Sequence, residues 1–324
     1  MTCKMPAKAA FTLAALLALA PPPAQAEAPL NVLATVGMIA DVAQNVAGDC
    51  AEVHSLLGPG TDPHSYSASP SDVRKLAAAD LIFYVDAALE DRLADVLAGM
   101  SRHVPTVGLL EAAFSRAALL EDPDAPGQPD PHLWMDVSRW ALIAPVIAES
   151  IGEQRPDCVT TLAENATRYM AALDALHGWV GEAITSIPEG QRLLVTAHDA
   201  FYYFADAYGI EASEAIEGIS TASEASIADI REVANFVIER NVPAVFVETT
   251  INPRTMQALV EEVRSRGHDV EIGGALFSDA MGDEGSPEGT YIGMIRANTE
   301  TITRALGGSL PDWPEALAKG DVSP

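Results

Sequence analysis

The chain has 324 residues and a formal net charge of −27, with 46 acidic against 19 basic side chains. An acidic excess of this size argues against nucleic acid and anionic lipid as partners, since both repel it. Beyond the first residues no segment is long and apolar enough to cross a bilayer, and the length suits two domains with real cores.

In chain order, Lys4 and Lys8 precede a short apolar run, Phe11–Ala20, and a small-x-small site, Ala24-Gln25-Ala26. This is the pattern of an export signal over residues 1–26. The expected mature protein starts near Glu27 and is soluble in the periplasm. Cys3 lies ahead of the apolar run, so no cysteine stands where a lipid anchor would attach. Cys50 and Cys158 each follow a predicted helix that runs away from the same sheet edge. A disulfide on that far face fits an oxidising compartment.

The first lobe is expected over 27–157. Strands are predicted at Asn31–Thr35, Glu52–Leu57, Leu81–Val85 and Thr106–Leu109. The helices between them are Ile39–Ala47, Ser71–Ala79 (capped by Ser71) and Leu89–Met100. Residues 113–131, rich in Pro, Asp and Ala, read as a loop. A helix capped by Asp136 then runs to Gln154, and Pro145 should bend it.

Residues 158–187 form the longest helical pattern, with Leu162, Tyr169, Met170, Leu173, Leu176, Val180 and Ile184 on one face. Such a helix is roughly 40 Å long, a rigid strut between lobes. The alternation restarts over 188–324. Strands are predicted at Leu193–Thr196, Ile210–Ala215, Val245–Glu248 and Asp269–Ile272. Helices follow at Ala200–Tyr208, Ile227–Arg240, Arg254–Arg266 and Tyr291–Leu306. The expected fold is α/β: two similar lobes, each a four-stranded parallel sheet with helices on both faces, joined by one long helix. Ligands bind such sheets at the carboxyl ends of the strands.

Of seven histidines, His54, His103, His177 and His268 fall mid-strand, in a surface loop, on the strut and beside a glycine turn, where a structural or solvated role suffices. His64 and His132 share an Asp-Pro-His turn, and His198 directly follows a strand. All three sit in loops at the same sheet edge. Asp279 lies just past the last strand of the second half. Alone it would read as a turn residue; with the histidines it completes a shell of three imidazoles and a carboxylate, two from each lobe. That donor set suits a first-row divalent ion, zinc above all. Asp62, Asp136, Asp199 and Glu248 are placed to orient the imidazoles or, equally, to cap and turn. Ser220, Thr221 and Glu224 lie in a loop at the cleft edge.

The stretches Gly60–Ser71, Asp130–Asp136, Leu193–Gly209, Gly218–Ser226, Phe246–Thr250 and Gly273–Gly282, with Gly289-Thr290-Tyr291, resemble the metal receptors of zinc- and manganese-importing ABC transporters. The resemblance spans nearly the whole mature chain. It implies two four-stranded lobes bridged by one helix, limited hinge motion, and ligand roles for His64, His132, His198 and Asp279. It also implies a membrane permease as partner, with a periplasmic metallochaperone as a further one, and a monomer that is not an enzyme. Members dedicated to manganese generally carry a carboxylate where His198 stands, which favours zinc. Residues 113–131 hold no histidine, unlike the histidine-rich loop of many zinc members, which keeps manganese as the alternative.

Two other readings are weaker. A zinc hydrolase lacks a His-Glu-x-x-His helix and an evident general base, and a fourth protein ligand would fill the position substrate needs. A chelated-iron receptor would need arginines in the cleft, and these loops have few. An adhesin role is a third alternative within the family.

Overall fold

The computed structural model describes residues 1–2, 28–122, 127–221 and 225–318. The export signal and Glu224 therefore lie outside the described residues, apart from Met1 and Thr2. Among the described residues no helix is long and apolar enough to cross a membrane.

The first half holds β1 (Leu30–Ala34), β2 (Ala51–Ser55), β3 (Leu81–Tyr84) and β4 (Thr106–Gly108), parallel throughout in the order β2-β1-β3-β4. Parallel neighbours need crossovers, which α1 (Gly37–Ala47), α2 (Pro70–Ala78) and α3 (Ala94–Met100) provide, with α4 (Leu109–Ala113) after the last strand. The apolar run of β3 is buried on both faces, as expected of a central parallel strand. Leu81 and Phe83 join the core around α1, while Ile82 packs with Leu33, Leu76 and Leu97 on the other side.

Helix α2 begins one residue earlier than the sequence suggests, with Ser69 rather than Ser71 as its cap. The Ser69 hydroxyl accepts the Asp72 amide at 3.3 Å and the Asp72 carboxylate accepts the Ser69 amide at 3.0 Å. Pro70 then takes the first helical position, where a missing N–H costs nothing.

The single helix expected from Asp136 to Gln154 is two: α5 (Val137–Trp140) and α6 (Ile143–Gln154). Pro145 is the reason. Its ring excludes a helical carbonyl four residues back, at Ala141, so the chain breaks there and Pro145 falls in the first turn of α6. Asp136 does cap α5, accepting the amides of Ser138 and Arg139.

The strut is α7 (Val159–Thr185), 27 residues long. Cys50, at the end of the first crossover, is disulfide-bonded to Cys158 at its base. Arg155 ties the same corner down, donating to the carbonyls of Ala28 and Cys50.

The second half holds β5 (Leu193–His198), β6 (Ala212–Glu217), β7 (Ala244–Glu248) and β8 (Glu271–Leu276), with α8 (Tyr202–Tyr208), α9 (Ile227–Arg240), α10 (Arg254–Ser265), α11 (Tyr291–Ala305) and the short α12 (Glu315–Ala318). The strands pair in parallel as β5-β6 and β7-β8, with β5 packed beside β7. This repeats the first half's order, but as two hydrogen-bonded pairs rather than one continuous ladder. Where β5 and β7 end, the Glu248 carboxylate joins them, accepting the amides of Ala197 and His198 at 2.8 and 2.9 Å.

One core runs unbroken from α1 through α7 to α11, taking in Trp134, Trp140, Tyr169, Phe201 and Tyr291. The strut is thus embedded between the halves.

Candidate metal centre

His64 and His132 reach the site by the same local device. In each Asp-Pro-His turn the aspartate Oδ1 accepts the histidine amide two residues on, Asp62 for His64 and Asp130 for His132, both at 2.9 Å. This is an Asx-turn, stiffened by the intervening proline. His198 is the last residue of β5, which runs two residues past the expected end at Thr196 because His198 pairs with Glu217. Asp279 stands three residues beyond β8.

The four side chains meet. Nε2 of His64 lies 3.3 Å from Nε2 of His132. The Asp279 oxygens lie 3.9 Å from Nε2 of His64, 3.4 Å from that of His132 and 3.2 Å from that of His198. One nitrogen or oxygen from each falls within 4.8 Å of every other. Four donors about 2.0–2.1 Å from a central ion stand about 3.4 Å apart at the corners of a tetrahedron. All four residues are at most 4 % exposed. Among the described residues neither buried Asp279 oxygen has a hydrogen-bond donor of good geometry, an expensive state for a carboxylate unless a positive charge faces it.

Two imidazoles are backed by carboxylates. Nδ1 of His132 lies 2.8 Å from Oδ1 of Asp130, and Nδ1 of His198 lies 2.6 Å from Oε2 of Glu248. Each contact leaves Nε2 facing the other donors, the usual orienting device behind a metal-bound imidazole. Burial pulls His132 down, but Asp130 and Asp279 outweigh it and hold this imidazole up at about 9. Burial likewise opposes charge on His198, yet Glu248 and Asp279 drive it well above the ordinary range. Among the described residues His64 has no such partner: burial, with two imidazoles beside it, brings it down to about 4 against the pull of Asp279. Burial would raise Asp279, but His198 and His132 hold it well below the usual carboxylate range.

Of the four carboxylates placed by sequence to orient the imidazoles, Glu248 does so. Asp62 holds the His64 backbone, not its ring, and accepts the Thr221 hydroxyl at 2.7 Å. Asp136 serves α5 and pairs with Arg139. Asp199 accepts the Tyr202 hydroxyl at 3.1 Å. Sequence reasoning missed Asp130, although its Asp-Pro-His setting, two residues before the imidazole, was the available signal. His54, His103, His177 and His268 stand apart from the cluster.

The sequence matches, over residues 32–305, the family described as zinc-uptake complex component A, periplasmic. The chain belongs to this family. As a member it is a metal-binding receptor of an ABC importer and not an enzyme, which removes the hydrolase reading. Among its relatives, the zinc-binding protein TroA of Treponema pallidum is 42% identical over 277 residues, 85% of this chain and 88% of that protein. The manganese-binding lipoprotein MntA of Bacillus subtilis is 39% identical over 282 residues, 87% of this chain and 91% of that one. The solved structure of periplasmic zinc-binding TroA aligns with a TM-score of 0.83 at 40% identity, covering 86% of this zinc-uptake family chain and 99% of that one.

Proposed function

We propose that His64, His132, His198 and Asp279 bind one zinc ion as cargo, and that the protein carries it through the periplasm to the importer's membrane permease. The observation that carries this is the convergence of four buried donors, three of them nitrogen, within 4.8 Å of one another. Imidazole-rich sites rank zinc above manganese in equilibrium affinity, and the TroA relative is named for zinc. Manganese is the second reading, favoured by the MntA relative.

In this reading residues 1–26 are removed on export and the mature protein is a monomer that works in the periplasm. Residues 27–157 and 188–324 then act as metal-binding lobes about the linking helix of 158–187. A metallochaperone could load the site.

The test is a competitive titration of metal-stripped protein with zinc and manganese, followed by elemental analysis after desalting. One zinc per chain, retained against excess manganese, is expected. Retention of manganese over zinc would favour the second reading, and retention of neither would end both.

A further inference from the structure

Trp134 lies two residues past His132, in the turn Leu133–Met135, and is fully buried. Its bonds leave its own half of the molecule. The indole N–H donates to the carbonyl of Ser278 at 2.8 Å, and Ser278 directly precedes Asp279. The Trp134 carbonyl accepts the Tyr291 hydroxyl at 2.7 Å, at the start of α11. The indole also stands edge-on to the His132 ring, centroids 5.2 Å apart. One residue of the first half therefore touches the ring of one cluster member and fixes the backbone beside another that belongs to the second half.

From this geometry we infer that Trp134 is a positioning residue for the metal: it sets the spacing between the His132 imidazole and the Asp279 carboxylate by a direct bond between their loops. This rests on the metal reading above. His132 is already aimed by its hydrogen bond to Asp130, and His198 lies 2.6 Å from a Glu248 oxygen, whereas among the described residues the Asp279 oxygens meet only the imidazoles of the cluster itself. Apart from those imidazoles the carboxylate is aimed through its backbone, and the bond to Ser278 is where that backbone meets the loop of His132. Holding a donor in place before the ion arrives removes an ordering cost from binding.

Trp140 supplies the control. It is equally buried and packs against both Trp134 and Tyr291, with centroids 6.2 and 6.1 Å apart. Its indole N–H has no hydrogen-bond partner among the described residues. Trp140→Phe thus removes the same atoms from the same core without removing a bond to the Asp279 loop.

The experiment loads wild type, Trp134→Phe and Trp140→Phe with cobalt(II), records the visible ligand-field spectrum, and measures zinc affinity by chelator competition. Wild type should give the intense bands of a tetrahedral site; their absence would count against the metal reading itself. Given those bands, Trp134→Phe should bind zinc about 10-fold more weakly, the effect of one lost hydrogen bond, with weaker and shifted cobalt bands. Trp140→Phe should keep both wild-type values even if it melts earlier. A Trp134→Phe protein indistinguishable from wild type, or a Trp140→Phe protein that loses affinity and spectrum to the same degree, overturns the inference. Should Trp134→Phe fail to fold, Tyr291→Phe cuts the bond from α11 to the Trp134 carbonyl. The same weakening and spectral change are then expected, and wild-type values would again overturn the inference.

Discussion

The Thr221 hydroxyl donates to Oδ2 of Asp62 at 2.7 Å, joining the loop of His64 to the segment that follows β6. The other oxygen of the same carboxylate accepts the His64 amide at 2.9 Å, and Oδ2 also takes the Ser65 hydroxyl at 2.7 Å. Asp62 thus shapes the turn that presents His64 and fastens that turn across the cleft. Thr221→Val should leave the fold intact and speed chelator-driven zinc release by roughly 5-fold, as expected for a part-exposed hydrogen bond worth about 1 kcal/mol. Thr221→Ser should restore the wild-type rate. Stopped-flow release with a coloured chelator reads this directly, and equal rates for all three proteins would show that the bond does not restrain the cleft.

Glu248 performs two tasks at the end of β7. One oxygen accepts the amides of Ala197 and His198, and the other contacts Nδ1 of His198. Asp130 does the same for His132, taking both its amide and its ring nitrogen. Neutral replacements keep the shape but not the charge behind the imidazole. Glu248→Gln and Asp130→Asn should each weaken zinc about 10–100-fold, measured by competition against a chelator of known strength. Affinities within twofold of wild type would mean that the carboxylates support only the backbone.

The cluster was legible in sequence because its parts repeat a local pattern. Two Asp-Pro-His turns and a histidine at a strand's end advertise a sheet edge, and Asp279 follows from its place beyond the last strand. The boundaries of α9 were equally plain, since Ser226 and Asp229 form a capping box. What stayed hidden depends on partners distant in sequence. Asp130 and Asp136 flank His132, two residues before it and four after, and only the folded chain shows that the first backs the ring while the second caps a helix. Trp134 reads as one more apolar residue until Ser278, 144 positions away, is brought to its indole. The break at Ala141–Leu142 was legible as a proline problem, but its size was not. The split of the second half into two hydrogen-bonded pairs, β5-β6 and β7-β8, leaves no mark in the strand pattern.

The Cys50–Cys158 disulfide closes a loop of 108 residues between the end of the first crossover and the base of α7. Cross-links restrict the unfolded chain more as the loop lengthens, and removing one typically costs about 2–5 kcal/mol. The pair sits on the face opposite the metal cluster. A Cys50→Ser/Cys158→Ser double variant should lose about 2–4 kcal/mol of stability in urea, with unchanged zinc affinity. A large loss of affinity at intact fold would show that the base of the strut is coupled to the site.

Glu90 is buried at 4 % exposure, away from the cluster. Its carboxylate accepts the Thr35 hydroxyl at 2.6 Å and the amides of Val85 and Asp86 at 2.9 and 3.1 Å. These bonds hold the start of a turn in which Asp86, Ala87 and Ala88 all adopt positive φ, of 85°, 55° and 68°, a costly run for residues with side chains. Burial outweighs the hydrogen bonds and pushes Glu90 from 4.5 up to about 7. Between those two values the folded chain keeps a proton that the unfolded chain has released. Stability from this group is therefore fully present below about pH 4.5 and lost as pH rises through about 7. The whole effect is roughly 3 kcal/mol at 1.36 kcal/mol per unit. Glu90→Gln cannot ionise, so its stability should gain on that of wild type as pH rises from 5 to 8. Urea midpoints of both proteins at the two pH values measure this. A difference between them that does not change with pH would mean that Glu90 stays ionised in the folded protein.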